Sequence, residues 1–333
     1  MSISEHGTPS SVALVARGID ALTGNLERVV VGKRTEIERA VAVLLAGGHL
    51  LLQDVPGVGK TVLARAMARS IGGTFKRVQA TPDLLPSDIT GGMVYDGGRG
   101  TLRFVAGPVF ANVVLADELN RATPRTQSAF LEAMGEAQVS VEGTAYPLPQ
   151  PFFLIATLNP VEHHGTYPLP EGQLDRFLAS MSLGYPRLDD EVEVIARQQV
   201  AHPLDSLQPV VTPADVLHWQ QEVRAARVDR SLMSYAAEIV AATRTHPEVV
   251  LGASPRASVG LVRLAQAWAV RDGREFVLPD DVKRLAPHVL THRLMVRSRT
   301  VSAAALVEDI LAGTPVPVFD TESRKRGISE PRS

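Results

Sequence analysis

Residues 51–63 read LLQDVPGVGKTVL: an apolar run, a glycine-rich turn, a lysine followed by a hydroxyl, and the start of a helical pattern. No other stretch constrains the fold as much. Gly57 and Gly59 free consecutive backbone N–H groups to wrap an anion at a helix N-terminus. Lys60 is placed to reach the β- and γ-phosphates of a nucleotide, and the Thr61 hydroxyl to ligate Mg²⁺. The strict form G-x-x-x-x-G-K-[ST] asks for glycine where Asp54 stands. Aspartate tolerates turn conformations better than most non-glycine residues, and its carboxylate must point away from phosphates, which would repel it.

Two further apolar runs end in polar groups suited to the same chemistry. VVLADEL (113–119) closes on two carboxylates. Asp117 suits Mg²⁺, which takes a carboxylate or a water held by one, and Glu118 suits a base that orients and deprotonates an attacking water. FFLIATLNP (152–160) ends in Asn159, a neutral group that could hold that water from a neighbouring strand tip; taken alone, an Asn-Pro turn reads as well.

The rest of the chain frames these runs. The apolar spacing from Val12 to Leu45 is helical, broken at VVVGK (29–33) by a short extended piece. HLLLQD, NVVLAD and FFLIAT read as buried parallel strands with helices such as TPRTQSAFLEAM between them, which predicts a doubly wound α/β sheet. Glycine-rich GGMVYDGGRGTLRFVAGPV (91–109) and QVSVEGTAYPL (138–148), with a hairpin turn at Glu142-Gly143, stand outside that alternation. Beyond Tyr185-Pro186 the pattern is almost wholly helical, so a boundary is expected near 186: an αβα core over 11–186 and an all-α lid over 187–312. Residues 1–10 and 313–333 read as flexible ends.

Composition narrows the class. The 333 residues carry 34 basic and 36 acidic side chains, a balance of −2 that announces no nucleic-acid or acidic-lipid partner. The absence of cysteine rules out disulfides and thiol chemistry. No targeting segment is visible, and the longest apolar run is too short to span a bilayer, so a soluble cytoplasmic protein without membrane insertion is expected.

Together PGVGKT, VVLADE and ATLNP resemble the Walker A, Walker B and sensor 1 motifs of an AAA+ ATPase. The longer strings QDVPGVGKT, ADELNRATPRTQSAFLEAM and GTYPLPEGQLDRF resemble the MoxR family in particular, over about Val30 to His292. Gln53 and Gly172 are small departures, and Asp54 is ordinary for that family. The resemblance implies a P-loop AAA+ core with a small all-α lid, ATP and Mg²⁺ as cofactors, and ATP hydrolysis in a ring, commonly a hexamer. It implies that Val55, Pro56, Gly57, Val58, Gly59, Lys60, Thr61 and Val62 hold the nucleotide, with Val31 and Gly32 at the adenine. Thr61 and Asp117 would hold the metal, and Glu118 and Asn159 would act on water. Arg176 in LDRF matches the arginine finger that serves a neighbour's nucleotide, and Arg256 in GASPRAS matches sensor 2, carried by the lid back to the same chain's nucleotide. The segments 91–109 and 138–148 match the helix-2 insert and the hairpin before sensor 1. Such proteins remodel clients in a chaperone-like way, maturing complexes or inserting metals, often with a von Willebrand factor A-domain partner.

Rival readings make different demands. A nucleic-acid motor needs a basic pore, and QVSVEGTAYPL has no Lys or Arg. A P-loop kinase of small molecules would have no use for Arg176, and a binding-only protein would not need Glu118. Adjacent His163 and His164 make a poor metal chelate without a third ligand.

Overall fold

The structure is a computed structural model that describes residues 11–98, 100–159, 166–199, 203–297 and 300–317. His163 and His164 lie outside the described residues, as do 1–10 and 318–333 of the two ends expected to be flexible.

Helices α1 (Ser11–Glu27) and α2 (Arg34–Leu45) precede β1 (Leu50–Gln53), which feeds through the glycine-rich turn into α3 (Lys60–Ser70). After β2 (Phe75–Gln79) and the short α4 (Pro86–Thr90) comes the hairpin of β3 (Gly91–Asp96) and β4 (Thr101–Ala106). Then follow β5 (Val113–Asp117), α5 (Pro124–Glu136), the hairpin of β6 (Gln138–Val141) and β7 (Thr144–Pro147), β8 (Phe153–Leu158), α6 (Glu171–Leu174) and β9 (Ala179–Met181). The β6–β7 turn has positive φ at both Glu142 (49°) and Gly143 (77°), the tight two-residue geometry that matches strand twist. Phe104 of one hairpin stacks on Tyr146 of the other, centroids 3.9 Å apart.

Five strands form a parallel sheet in the order β2-β5-β8-β1-β9. Their apolar side chains alternate between two hydrophobic layers. Leu50, Leu52, Val113, Leu115, Phe153 and Ile155 face one cluster, whereas Leu51, Val114, Ala116, Leu154 and Ala156 face the other with α5. A strand buried on both faces must be apolar throughout, which is why these runs are continuous.

Beyond the sheet lie α7 (Leu188–Gln198), α8 (Pro213–Ala225), α9 (Arg230–Thr245), β10 (Val249–Leu251), α10 (Pro255–Arg271), α11 (Pro279–Leu290), β11 (Met295–Val296) and α12 (Ala303–Gly313). Thr212 and Asp215 form a reciprocal capping box at α8, a motif worth about 1 kcal/mol. The small β10–β11 sheet is one feature that the helical pattern of this region does not reveal. Residues of α8 to α12 share one hydrophobic cluster with α1, α2 and α3. Trp219 of α8 lies so close to α1 that a Cβ at Gly18 would stand 2.3 Å from its ring. Arg271 of α10 pairs with buried Glu38 of α2. The helical part therefore packs on the N-terminal helices, on one side of the sheet.

The segment 29–33 is a set of turns, not an extended piece. The Val29 and Val30 N–H groups both donate to the Leu26 carbonyl (3.0 and 2.9 Å), and Gly32 has φ +71°. The end of α1 captures these amides before a strand could. No helix among the described residues is long and apolar enough to cross a membrane.

Candidate active site

In a parallel sheet all carboxyl ends lie on one edge, and there the polar residues collect. A cavity of about 350 Å³ is lined by Pro56, Gly57, Gly59, Lys60, Thr61 and Val62 of the loop and α3, and by Arg77, Gln79, Asp117, Glu118, Thr157 and Asn159 of the strand tips. Gly57 (φ +86°) and Gly59 (φ +93°) hold backbone angles that a side chain would strain. The Lys60 ammonium donates to the carbonyls of Asp54 (3.0 Å) and Val55 (2.8 Å), and so lies folded along the loop.

Asp54 points away from this cavity. Its Oδ2 accepts the N–H groups of Leu183 and Gly184 (the latter at 3.1 Å), just after β9. A carboxylate satisfied by two amides can be buried, and Asp54 is. The residue replacing the expected glycine thus ties the end of β1 to the chain leaving the neighbouring strand.

At the opposite wall the two carboxylates are held apart. Asp117 accepts Thr157 Oγ1 at Oδ1 (2.7 Å) and Arg77 at Oδ2, with Nε at 3.0 Å and Nη2 closer. Glu118 accepts Gln79 Nε2 (2.8 Å) and lies 3.2 Å from Arg121 Nε at the same oxygen. Its backbone is left-handed (φ 55°, ψ 47°), a conformation costing about 1 kcal/mol for a non-glycine residue. The Glu118 N–H donates to Thr157 Oγ1 (2.7 Å), which holds that conformation. Asn159 is buried at the tip of β8. Thr61 and Asp117 offer hard oxygen donors on one cavity, a fit for magnesium that draws its remaining ligands from phosphates and water. Among the described residues no group of three or more His, Asp or Glu side chains could hold a metal.

A second, more apolar cavity of about 190 Å³ adjoins the first through Gly57, Gly59 and Val62. Val29, Val30, Val31, Lys33 and Val58 line it from the core, and Val194, Arg197 and Gln198 of α7 line it from beyond. A flat base fits such walls. Gly32 is not among the lining residues. It meets α7 instead, where a Cβ would stand 2.3 Å from the Asp190 carboxylate.

The arginines lie elsewhere. Arg176 and Arg256 line a third cavity with Asp175, Arg263 and Arg293. Arg176 Nη1 donates to the Leu131 carbonyl (3.1 Å), and a Cβ at Gly135 would stand 2.5 Å from it. Asp175 is not the partner of Arg176: it pairs with buried Arg293 (2.9 Å) and with Arg256 (3.6 Å). Arg256 therefore does not reach the phosphate loop of its own chain, contrary to the sequence expectation. The α10 N-terminus that carries it is fixed to the sheet's far side, with Ser254 Oγ donating to Asp175 (2.8 Å) and Gly260 against Leu178.

The sequence matches the ATPase family associated with various cellular activities (AAA) over residues 49–179 and the AAA lid domain over 241–310. It is 41% identical over 299 residues to the "Chaperone MoxR1" of Mycobacterium tuberculosis, covering 87% of this chain and 79% of that protein. It is 31% identical over 322 residues to the "Protein MoxR" of Paracoccus denitrificans, covering 88% and 94%. The chain belongs to the MoxR family of AAA+ ATPases. It is also 49% identical over 298 residues to the Bacillus subtilis protein YeaC (88% and 93% covered). A crystal structure of a candidate ATPase from Cytophaga hutchinsonii superposes with a TM-score of 0.86 at 37% identity, covering 92% and 97%. A parallel α/β AAA core followed by a helical AAA lid, nucleotide binding, and ATP hydrolysis as the general kind of activity follow for this MoxR-family chain.

Within that MoxR frame, sequence reading missed Arg77, Gln79 and Thr157. The strand FKRVQ lies at the sheet edge and is polar, so it carries no apolar run to mark it. Thr157 had a signal: it precedes Asn159 by two residues and so shares its side of β8.

Proposed function

We propose that this chain hydrolyses ATP to ADP and phosphate at an active site shared between copies in a ring, and that it uses the cycle to remodel a client protein. The observation that carries this reading is the separation of the two halves of the chemistry. Glu118 and the glycine-rich loop line one cavity, whereas Arg176 and Arg256 line another.

In this reading the loop amides and Lys60 bind the β- and γ-phosphates, and Val29, Val30 and Val31 enclose the base. Thr61 and Asp117 would hold a magnesium ion, which supplies charge neutralisation at the phosphates. Glu118 takes the proton of the attacking water, and Asn159 orients that water. Arg176 of the adjacent copy stabilises charge on the transferring phosphoryl group, a task suited to an always-charged planar donor. Arg256 joins it from the same copy, because it shares the cavity of Arg176 and not that of Lys60.

The ring is proposed as a hexamer, in the cytoplasm, with a von Willebrand factor A-domain protein as partner and client maturation or metal insertion as output. The chaperone name of the mycobacterial relative supports the output. The test is mixing: Glu118→Gln and Arg176→Ala should each be nearly inactive, and together should recover turnover at mixed interfaces. A mixture as inactive as its components, in oligomers shown to exchange, would overturn the reading.

A further inference from the structure

Helix α7 contains no buried residue. It is nevertheless strongly amphipathic. Leu188, Val192 and Ile195, at i, i+4 and i+7, form one stripe and are 76%, 58% and 58% exposed, with Tyr185 at 73% just before it. The opposite side is in use: Asp190 lies against Gly32, and Val194 and Arg197 line the base-side cavity. A lone exposed leucine needs no explanation, but a stripe of three on a helix whose other face is engaged marks an interaction surface. Asp189 and Glu191 flank the stripe, and four carboxylates against two guanidiniums make the segment 187–198 net acidic.

The same chain carries a complementary face. On α10, Arg256, Val259 and Arg263 share one side at i, i+3 and i+7, and Val259 is 58% exposed between the two guanidiniums. Apolar with flanking acids on α7 meets apolar with flanking bases on α10. The two faces border different halves of the active site, α7 the nucleotide side and α10 the cavity of Arg176.

We propose that the α7 stripe is the seat of a second copy of this chain, which docks through its α10 face and thereby brings its Arg176 toward the nucleotide cavity. This rests on the shared-site reading above. The contact is heterologous, patch to different patch, and such contacts generate rings when the rotation closes. Pairing of Arg263 with the acids beside the stripe fixes which face meets which and leaves Arg256 to continue toward the phosphates, while the apolar stripe supplies the burial.

The test uses two full-length variants, Val192→Asp/Ile195→Asp on α7 and Val259→Asp on α10. All three side chains are mostly exposed, so circular dichroism and Tm should match the parent. Sedimentation is measured with ATP in the Glu118→Gln background. The parent should form concentration-dependent oligomers, whereas each variant alone should be monomeric at concentrations at least tenfold higher. An equimolar mixture should give dimers and nothing larger, because each pair retains one intact α7–α10 contact. Either variant assembling like the parent, or a mixture that stays monomeric, would overturn the docking while leaving the shared site standing. A parent that is monomeric at every concentration, with Arg176→Ala hydrolysing ATP as well as wild type, would overturn both.

Discussion

Arg77 and Asp117 form an ion pair across the top of two neighbouring strands, with guanidinium Nε 3.0 Å from the carboxylate Oδ2. This places a fixed positive charge on the carboxylate assigned to the metal. Arg77 is 44% exposed, so the pair is worth only about 1 kcal/mol, yet a cation binding at that oxygen must displace it. Arg77→Ala is therefore expected to lower the magnesium concentration needed for half-maximal nucleotide binding about threefold to tenfold, read with a fluorescent ADP analogue. An unchanged or higher requirement would show that Arg77 does not compete for Asp117.

Glu118 presents a different case, because Gln79 and Arg121 both hold it through one oxygen, Oε2. Glu118→Gln keeps the shape and the Gln79 contact but cannot accept a proton from water. Nucleotide affinity should remain within about threefold of wild type while turnover falls by at least ~10²-fold. Calorimetry and single-turnover hydrolysis separate the two effects, and retained turnover would remove Glu118 from the chemistry.

The position of Asp54 is a stability claim. Removing its side chain leaves the Leu183 and Gly184 amides without their acceptor next to the phosphate loop. Asp54→Ala should cost roughly 2–4 kcal/mol and weaken nucleotide binding, whereas Asp54→Asn, which can still accept, should cost less. Urea unfolding midpoints measure the difference, and an alanine variant as stable as the parent would refute the tie.

How far these positions were legible in the sequence depends on the kind of constraint. The P-loop, the Asp117–Glu118 pair and the three apolar strands are local patterns whose residue types admit few other uses. That the Asp54 carboxylate points away from the phosphates followed from charge alone, but its partners at Leu183 and Gly184 lie 129 and 130 positions on and leave no local trace. Arg77 and Gln79 were hidden because an edge strand need not be apolar. Arg256 was misplaced for a third reason. Its motif is local, but the side of the sheet on which α10 lands is decided by packing on α1 and α2, through contacts such as Arg271 with Glu38.

That placement makes Arg256 testable by the same mixing logic as Arg176. If Arg256 serves a neighbour, Arg256→Ala mixed with Glu118→Gln should regain turnover, since one site then holds Glu118 from one copy and Arg256 from the other. If Arg256 serves its own chain, no mixed site is complete and the mixture stays inactive. Steady-state ATPase across mixing ratios, with a maximum near equal amounts, is the expected signature.

The last expectation concerns acid. His49 is buried, with its Nδ1 accepting the Leu154 N–H (3.1 Å) and its Nε2 donating to the Met134 carbonyl (3.2 Å), and burial lowers its pKa to about 4. His288 is lowered to about 4 by burial and by Arg39, and His292 to about 3 by burial and by Arg293. Each folded pKa lies below the unfolded value of about 6.5, so the unfolded chain takes up protons first. Stability conferred by the neutral rings is complete above about pH 6.5 and is lost as pH falls, down to about 4 for His49 and His288 and about 3 for His292. For His49 alone the loss amounts to about 3 kcal/mol. The carboxylates with lowered pKa, Asp83, Asp190 and Asp215, lose their contribution only as pH falls below the ordinary aspartate value of 3.8, so the range from pH 6.5 to 4.5 reads the histidines. Urea midpoints should fall steadily across that range, and His49→Gln should flatten the slope. A midpoint independent of pH there would mean that these rings are not held neutral by the fold.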